Sequence, residues 1–427
     1  MRWITQTLKK REIYKLYTIT ISGVVILNRP KIINFLSSVE GFSRLYHLIN
    51  MDTELSRSIQ SLDPHFQPFV HYLLEQSCEI TLTNESLQIS EPCSGCYPKV
   101  TMEGIRYDRF KLNIPYAQQQ LTWEIIFDSA NWKEPPDFIF DAEDDDFFPP
   151  MEQINSLICW DWKNKESLAA AVTELLELYK DYQLERASTN STLQRHLRSL
   201  LAENPKELQI VINRTEHNFG TVNVLMKLEV NFSNLPPYLQ EGNPGKGTAV
   251  LYVWFPNPES SSVKSQLYLS PTVESAFGGS SKLHIPVFQQ GILLGEYFAL
   301  INQLLAKQVS LISDCFQKKQ KFTSGLLAYF VKSVIEYDVN KIVLLLEWND
   351  FFFTFTVELP QYFPTEPPVY IFKSVYHNQN KKPYTERHTE FPYSPRWSGV
   401  EMAKRTSAFI WENIKNFQTA SVNNSDR

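Results

Sequence analysis

Apolar and polar positions alternate strictly over two neighbouring runs in the first part of the chain. Phe110, Leu112, Ile114 and Tyr116 are separated by Lys111, Asn113 and Pro115; after "AQQQ", Leu121, Trp123, Ile125 and Phe127 resume the alternation. A period of two over adjacent runs predicts a hairpin with one buried face. In "NWKEPPDFIF" the pair Pro135 and Pro136 then forces an extended entry to a third short strand. Trp160 follows an irregular stretch, and Leu168, Val172, Leu175, Leu176, Tyr179 and Tyr182 fall on one helical face.

The same order returns downstream. Ile342, Leu344, Leu346 and Trp348 form one stripe, Asn349 and Asp350 make a tight turn, and Phe351, Phe353, Phe355, Val357 and Leu359 form the next. "FPTEPPVYIF" repeats the double-proline strand. After another irregular stretch, Trp397 is expected to pack beneath a helix opening at Ser398, where Ser398 and Glu401 have capping-box spacing and Met402, Arg405, Phe409 and Phe417 track one face. An amphipathic segment precedes each meander: 55–76, with Leu62, Phe66, Phe69, Val70 and Leu73, and 316–332, with Phe322, Leu326, Leu327 and Phe330. The pattern predicts a duplicated α+β fold of antiparallel meanders with flanking helices.

Between the copies, Val222, Val224, Met226, Leu228, Val230 and Phe232 predict a strand. "TAVLYVWF" and "SQLYLS" predict two more, before a helical run over 295–315. "NLPPYL" makes this region a plausible third, degenerate copy, and "EGNPGKGT" and "NPESSSVKS" are predicted hairpin loops. The expected organisation is an extension over 1–50, a first domain over 51–203 ending near Asn204-Pro205, a degenerate middle domain over 204–315, a second domain over 316–420 and a tail over 421–427. "LYTITISGVVIL" near the start is too short to span a bilayer, and Asn28, Arg29 and Pro30 follow it in place of a small-residue cleavage site. It is expected to be an extension outside the core fold, which begins at Met51.

Composition narrows the chemistry. The 427 residues carry a formal net charge of −6 with pI near 5.8, which offers no clustered basic face for nucleic acid. Five cysteines, an odd number and mostly far apart, argue against a disulfide framework and for a reducing compartment. "GNPGKGT" has the wrong order after its lysine for a phosphate loop and precedes a strand where a helix is required. Cys93 and Cys96 make a single Cys-x-x-Cys pair without a second pair to complete a zinc site. No His-x-x-x-His or Gly-x-Ser-x-Gly occurs, so metalloprotease and serine-hydrolase chemistry lack their anchors. Asp141, Glu143, Asp144, Asp145 and Asp146 could hold a cation or face a basic partner, but read first as a solvated loop. Cofactors and resident metals are not expected.

"FPTEPPVYIF", then "SVYHN", then "SPRW" before a helix resembles the signature of the ubiquitin-conjugating-enzyme fold: aromatic-Pro-x-x-Pro-Pro, Tyr-His-Pro-Asn, the catalytic cysteine, and a Trp-led helix. Phe363, Pro364, Pro367 and Pro368 match the first element, and Tyr376, His377 and Asn378 match the second in part. In that family a thiolate accepts ubiquitin as a thioester and the nearby asparagine steadies the oxyanion. Here no cysteine follows, because the last one is Cys315. In the first copy Cys159 stands directly before Trp160, without a preceding Tyr-His-Pro-Asn, and is expected to be a small buried core residue and not a nucleophile. Two copies without a thiol resemble tandem ubiquitin-conjugating-enzyme variant (UEV) domains, in which Pro135, Pro136, Trp160, Phe363, Pro364, Pro367, Pro368, Tyr376, His377, Asn378 and Trp397 are structural.

"DRFKLNIPY", "PPDFIF", "LYLSPTVESAFGGSSKLHIP" and "FPYSPRWSGVEMAKR" together resemble the BRE family of deubiquitinase-assembly subunits, from Met51 to about Phe417. The resemblance implies a non-catalytic scaffold in the BRISC deubiquitinase and the DNA-damage BRCA A complex, in cytoplasm and nucleus. Its implied partners are an Abraxas-type scaffold subunit, a von Willebrand A-domain subunit, and a separate zinc metalloprotease that cuts lysine-sixty-three-linked ubiquitin chains, with ubiquitin itself a further candidate. Two other readings stand beside it: a UEV-type adaptor binding ubiquitin or sorting peptides, and an active conjugating enzyme using Cys159.

Overall fold

In a computed structural model of the protein, residues 57–424 are described, except 84, 96–98, 102–103, 142–143, 145, 216–217, 237–246, 261 and 280–282. The expected extension over 1–50, Cys96, Glu143 and Asp145, and most of "EGNPGKGT" lie outside the described residues, as does the end of the expected tail. The fold is α+β with antiparallel sheets. Two compact units form: the first ends at Arg186 and takes in Gln209–Val211, and the second comprises Ala187–Leu208 and the chain from Ile212 onward.

The first unit contains helices α1 (Gln67–Glu75) and α2 (Ser77–Ile80), strand β1 (Gln88–Cys93), a small hairpin of β2 (Lys99–Thr101) and β3 (Gly104–Arg106), and the strands β4 (Arg109–Tyr116), β5 (Gln119–Ile126) and β6 (Asp137–Ile139). Helix α3 (Asn155–Ile158) follows, then α4 (Ser167–Ser188). The sheet order is β1-β4-β5-β6. Alternate residues of β4 are buried, as the period of two predicts, with Phe110, Leu112, Ile114 and Tyr116 inward. Ala117 and Gln118 close the hairpin at positive φ, 47° and 62°, the two-residue turn whose twist matches its strands.

The second unit opens with α5 (Ser191–Ala202), a helix the periodicity reading passes over although Asn190 caps it by accepting from Leu193 N–H at 2.9 Å. The strands β7 (Leu208–Thr215), β8 (Asn218–Lys227), β9 (Ala249–Phe255) and β10 (Lys264–Leu269) make a sheet in the order β10-β9-β8-β7. The short α6 (Pro271–Ala276) leads to α7 (Leu294–Phe330). The two helical runs expected over 295–315 and 316–332 are therefore one 37-residue helix. Nothing between them breaks it: buried residues recur every three or four positions through Ile301, Leu305, Val309, Ile312, Cys315, Lys319, Phe322, Leu326 and Phe330. Lys319 is the one charged member of that stripe. Gly295 lets α7 start directly against α5, since a Cβ there would meet the Ser199 carbonyl oxygen at 2.1 Å.

The last third is a five-stranded meander, β11 (Val334–Asp338), β12 (Lys341–Trp348), β13 (Phe351–Glu358), β14 (Val369–Gln379) and β15 (Lys382–His388), followed by α8 (Gly399–Asn423). Asn349 and Asp350 turn between β12 and β13 at positive φ as expected, and Asn380 and Lys381 do the same between β14 and β15. The stretch after the double-proline strand is thus not irregular; it is a long hairpin. The first unit's equivalent strand has only three residues, so the two meanders are unequal. Helices α7 and α8 cover one face, burying Phe322, Leu326, Phe353, Phe355, Phe372, Ile410, Ile414 and Phe417. Each such side chain contributes about 2–3 kcal/mol by leaving water. Gly399 permits the helices to meet, because a Cβ there would stand 2.6 Å from the Phe322 amide nitrogen.

Candidate functional site

The double-proline signature of the second unit is built into the wall of the meander. Phe363 is fully buried against Phe322, ring centroids 5.4 Å apart, and the Phe363–Pro364 peptide is cis. Pro364 and Pro368 are buried while Pro367 faces solvent. The Pro364 carbonyl accepts the Tyr393 hydroxyl at 2.6 Å, and in the same aromatic cluster Tyr370 shares a hydrogen bond with Thr406 Oγ1 at 2.7 Å. Burial pushes the Tyr370 phenol up to about 12 and drives that of Tyr393 higher still. These tyrosines stay neutral at physiological pH and act as structural donors.

Trp397 is half-buried, meeting Tyr393 edge-on (6.1 Å, 72°) and lying under the Arg405 guanidinium, 4.0 Å from its ring centroid. Arg405 donates in turn to Glu401 at 2.7 Å, and Ser398 Oγ accepts from the Glu401 amide, capping α8. The tryptophan therefore flanks the helix start beside the core, where the sequence places it beneath the helix. With Phe391, Tyr370 and Phe409 it lines an aromatic cavity of about 150 Å³.

Tyr376, His377 and Asn378 lie on the outer half of β14. Ser374 Oγ accepts the amides of Tyr376 and His377 at 3.2 and 3.1 Å, His377 Nδ1 meets Ser421 Oγ at 3.0 Å, and Asn378 pairs with Pro383 across the hairpin. Tyr376 and Asn378 are exposed. The cysteine in this unit, Cys315, is buried in α7, and burial pushes its thiol up, away from the thiolate a nucleophile requires.

In the first unit Pro136 is buried, Pro135 is half-buried, and Trp160 packs on Phe69 at 5.2 Å and Phe127 at 6.4 Å. Cys159, expected in the core, is exposed. Helix α3 is one turn long and buries only Leu157, so the chain leaves it with Cys159 outward and turns Trp160 in. Cys93 lies on β1, and burial raises its thiol as well. Asp144 does not belong to a solvated loop: it accepts the Tyr179 hydroxyl at 2.6 Å and pairs with Arg186 at 3.1 Å, the Asp144 and Arg186 side chains each 11% exposed. Among the described residues no group of three His, Cys, Asp or Glu side chains could hold a metal ion. Among them, too, no helix is long and apolar enough to cross a membrane.

Two features go unread in the sequence pattern. Lys319 is 2% exposed and donates to Asn340 Oδ1 at 2.6 Å, fastening α7 to the β11–β12 turn, with its ammonium lowered by burial. Its i+4 spacing from Cys315 and i−3 spacing from Phe322 could have placed it inside. The edge strand β11 leaves Ile335 and Tyr337 more than half exposed, just after Tyr329 and Val331, which are exposed likewise. A sheet edge with apolar side chains is a surface for a partner.

Comparison with known proteins matches residues 60–378 to the family described as "Brain and reproductive organ-expressed protein (BRE)". Similar proteins include one from Branchiostoma floridae, named "BRISC and BRCA1-A complex member 2", 37% identical over 375 residues that cover 86% of this chain and 98% of that protein. A Danio rerio protein of the same name is 37% identical over 379 residues, covering 86% of this chain and 97% of its own length.

Proposed function

The chain belongs to the BRE family, and from that premise we propose that it is a non-catalytic scaffold subunit of a deubiquitinase assembly of the BRISC and BRCA1-A type. The observation that carries the non-catalytic part is the setting of Tyr376, His377 and Asn378. They stand on one arm of a β hairpin, where Asn378 faces Pro383, with no thiol following and the unit's one cysteine buried in α7. An asparagine so placed has no thioester to stabilise. In this reading the two meanders are UEV domains that have kept the fold and lost the nucleophile. They join an Abraxas-type scaffold to a von Willebrand A-domain subunit, while a separate zinc metalloprotease cuts lysine-sixty-three-linked chains. The exposed β11 edge supports this role, because an edge strand offers main-chain pairing to an incoming segment.

The aromatic cavity beside Trp397 supports a second reading, a UEV-type adaptor that binds ubiquitin or a sorting peptide on its own. Native affinity purification of the full-length chain followed by mass spectrometry separates the two. Scaffold function requires co-elution of all three partner types at comparable amounts. Recovery of ubiquitin or sorting cargo without a metalloprotease would defeat it.

A further inference from the structure

An open sheet ends in strands whose outward amides and carbonyls have no partner, and proteins shorten, break or cover such edges. Most edges here follow that rule. Strand β6 has three residues, and β1 contains Pro92 and a register break between Ser90 and Cys93. The ladder of β11 is broken between Val334 and Glu336, β15 contains Pro383, and β7 is buried from Gln209 to Ile212. Strand β10 is the exception among the described residues: it pairs with β9 over all six positions, Lys264 to Leu269, without a break or a proline. We propose that β10 is a strand-addition site, to which an extended segment of a partner protein, with aliphatic and polar residues alternating, pairs antiparallel.

The ladder fixes which groups await a partner. The Ser270 amide donates to the Thr248 carbonyl at 2.9 Å, so the position next to the Leu269 and Ala249 pair is a hydrogen-bonded one. Such positions alternate along an antiparallel ladder. Lys264, Gln266 and Tyr268 therefore bond to β9, and the amides and carbonyls of Ser265, Leu267 and Leu269 point away from it. Among the described residues no hydrogen bond reaches these main-chain groups. The chain's nearest segment does not complete the ladder. Ile285, Pro286 and Val287 wall a groove of about 590 Å³ along β10. Pro286 has no N–H, and its carbonyl already accepts the Tyr297 hydroxyl at 2.7 Å, which also meets Ser265 Oγ at 2.8 Å. The wall is thus pinned to α7 beside the edge and leaves the edge open.

Side-chain fit sets the sequence of the occupant. Residues directly opposed in an antiparallel pair share a face of the sheet. One face of β10 carries Ser265, Leu267 and Leu269, opposite the buried Val253, Leu251 and Ala249, and Val287 of the wall is 75% exposed. The other face carries Lys264, Gln266 and Tyr268. An added strand therefore meets apolar neighbours with every second residue and polar neighbours with the residues between. Charge does not select it, because Glu259 balances Lys264 within the same hairpin and the Lys264 ammonium lies 5.0 Å from the Trp254 centroid. Main-chain pairing and apolar contact do. A second copy of β10 fits worse, since its own 285–287 wall would have to enter the same groove.

The test uses the full-length chain and a fluorescein-labelled peptide, Ser-Thr-Val-Thr-Val-Thr-Val-Thr-Ser, with binding followed by anisotropy. Saturable binding is expected. The same peptide N-methylated at its valines, whose amides face β10 when their side chains meet the apolar face, should bind at least about tenfold more weakly, because each lost main-chain bond is worth a factor of about two to twelve. Val287→Asp, which puts a charge on the wall, should weaken binding about tenfold. Val331→Asp, 71% exposed beside the β11 edge, should change it less than about twofold. In hydrogen exchange, saturating peptide should slow the amides of 264–269 and leave those of 334–338 unchanged; melting curves report that both variants are folded. Four results would each overturn the proposal: no binding up to about 1 mM, equal binding of the N-methylated peptide, an equal loss in the Val331 variant, or protection over 334–338 in place of 264–269. Dimerisation of the chain that Val287→Asp abolishes would overturn it too, by making a second copy the occupant.

Discussion

His196 sits in α5 with its ring 5.5 Å from Phe255 and 6.1 Å from Phe288, and its Nδ1 is buried without a hydrogen-bond partner. Burial chiefly, and the neighbouring Arg195 charge secondly, lower its pKa below the ordinary 6.5. As pH falls through 6.5 the unfolded chain takes up the proton before the folded one does. The stability present above that pH is therefore lost progressively down to the folded value. The melting temperature of the second unit should fall between pH 7.5 and 5.5, and His196→Gln should reduce that fall; an identical fall in the variant would show that His196 is not a source of it. Cys159 and Trp160 make the complementary point: adjacent in sequence, they face opposite ways, and only the end of a one-turn helix decides which goes inside.

At the level of elements, the long helix α7 joins the four-stranded sheet region of the second unit to its meander. Its apolar stripe runs unbroken past Cys315, so the position where the sequence suggests a domain junction is mid-helix. Gln317 is exposed there, which isolates the backbone effect of replacing it. Gln317→Pro removes an i to i−4 hydrogen bond and clashes with the preceding turn, so it should cost about 3 kcal/mol or more, against about 1 kcal/mol for Gln317→Gly. Urea unfolding of the two variants measures this. A proline variant with the parent's midpoint would mean that the helix tolerates a break and that the regions on either side are independent. The hairpins teach the reverse lesson. Asn349-Asp350 is a turn signal that strand periodicity on both sides makes readable, whereas Asn380-Lys381 is flanked by polar arms, "SVYHNQ" and "KPYTERH", that hide the strands.

For the whole molecule, the decisive expectation is chemical silence. Incubated with ubiquitin-activating enzyme, ATP and ubiquitin, the full-length chain should form no thiol-sensitive adduct on intact-mass analysis. The thiols of Cys93 and Cys315 are raised by burial, and Asn378 faces a proline across its hairpin. Cys78, Cys93 and Cys159 are all exposed, and Cys159, beside Trp160, is the residue to watch; an adduct abolished by Cys159→Ala would make the protein an enzyme.

The sequence by itself determined the strand pairs around 110–127 and 342–359, the cap of α8 at Ser398, the α+β class and, through its long specific motifs, the family. These depend on local periodicity, turn chemistry and residue identity, which are written along the chain. Tertiary structure alone decided that α7 is one helix with Lys319 inside it, that Cys159 faces water, that Asp144 is clasped by Tyr179 and Arg186, and that Pro286 stands beside the edge of β10. Each of these turns on which distant residues share one neighbourhood. Burial of a polar or aromatic group is set by those neighbours and not by the group's own place in a pattern.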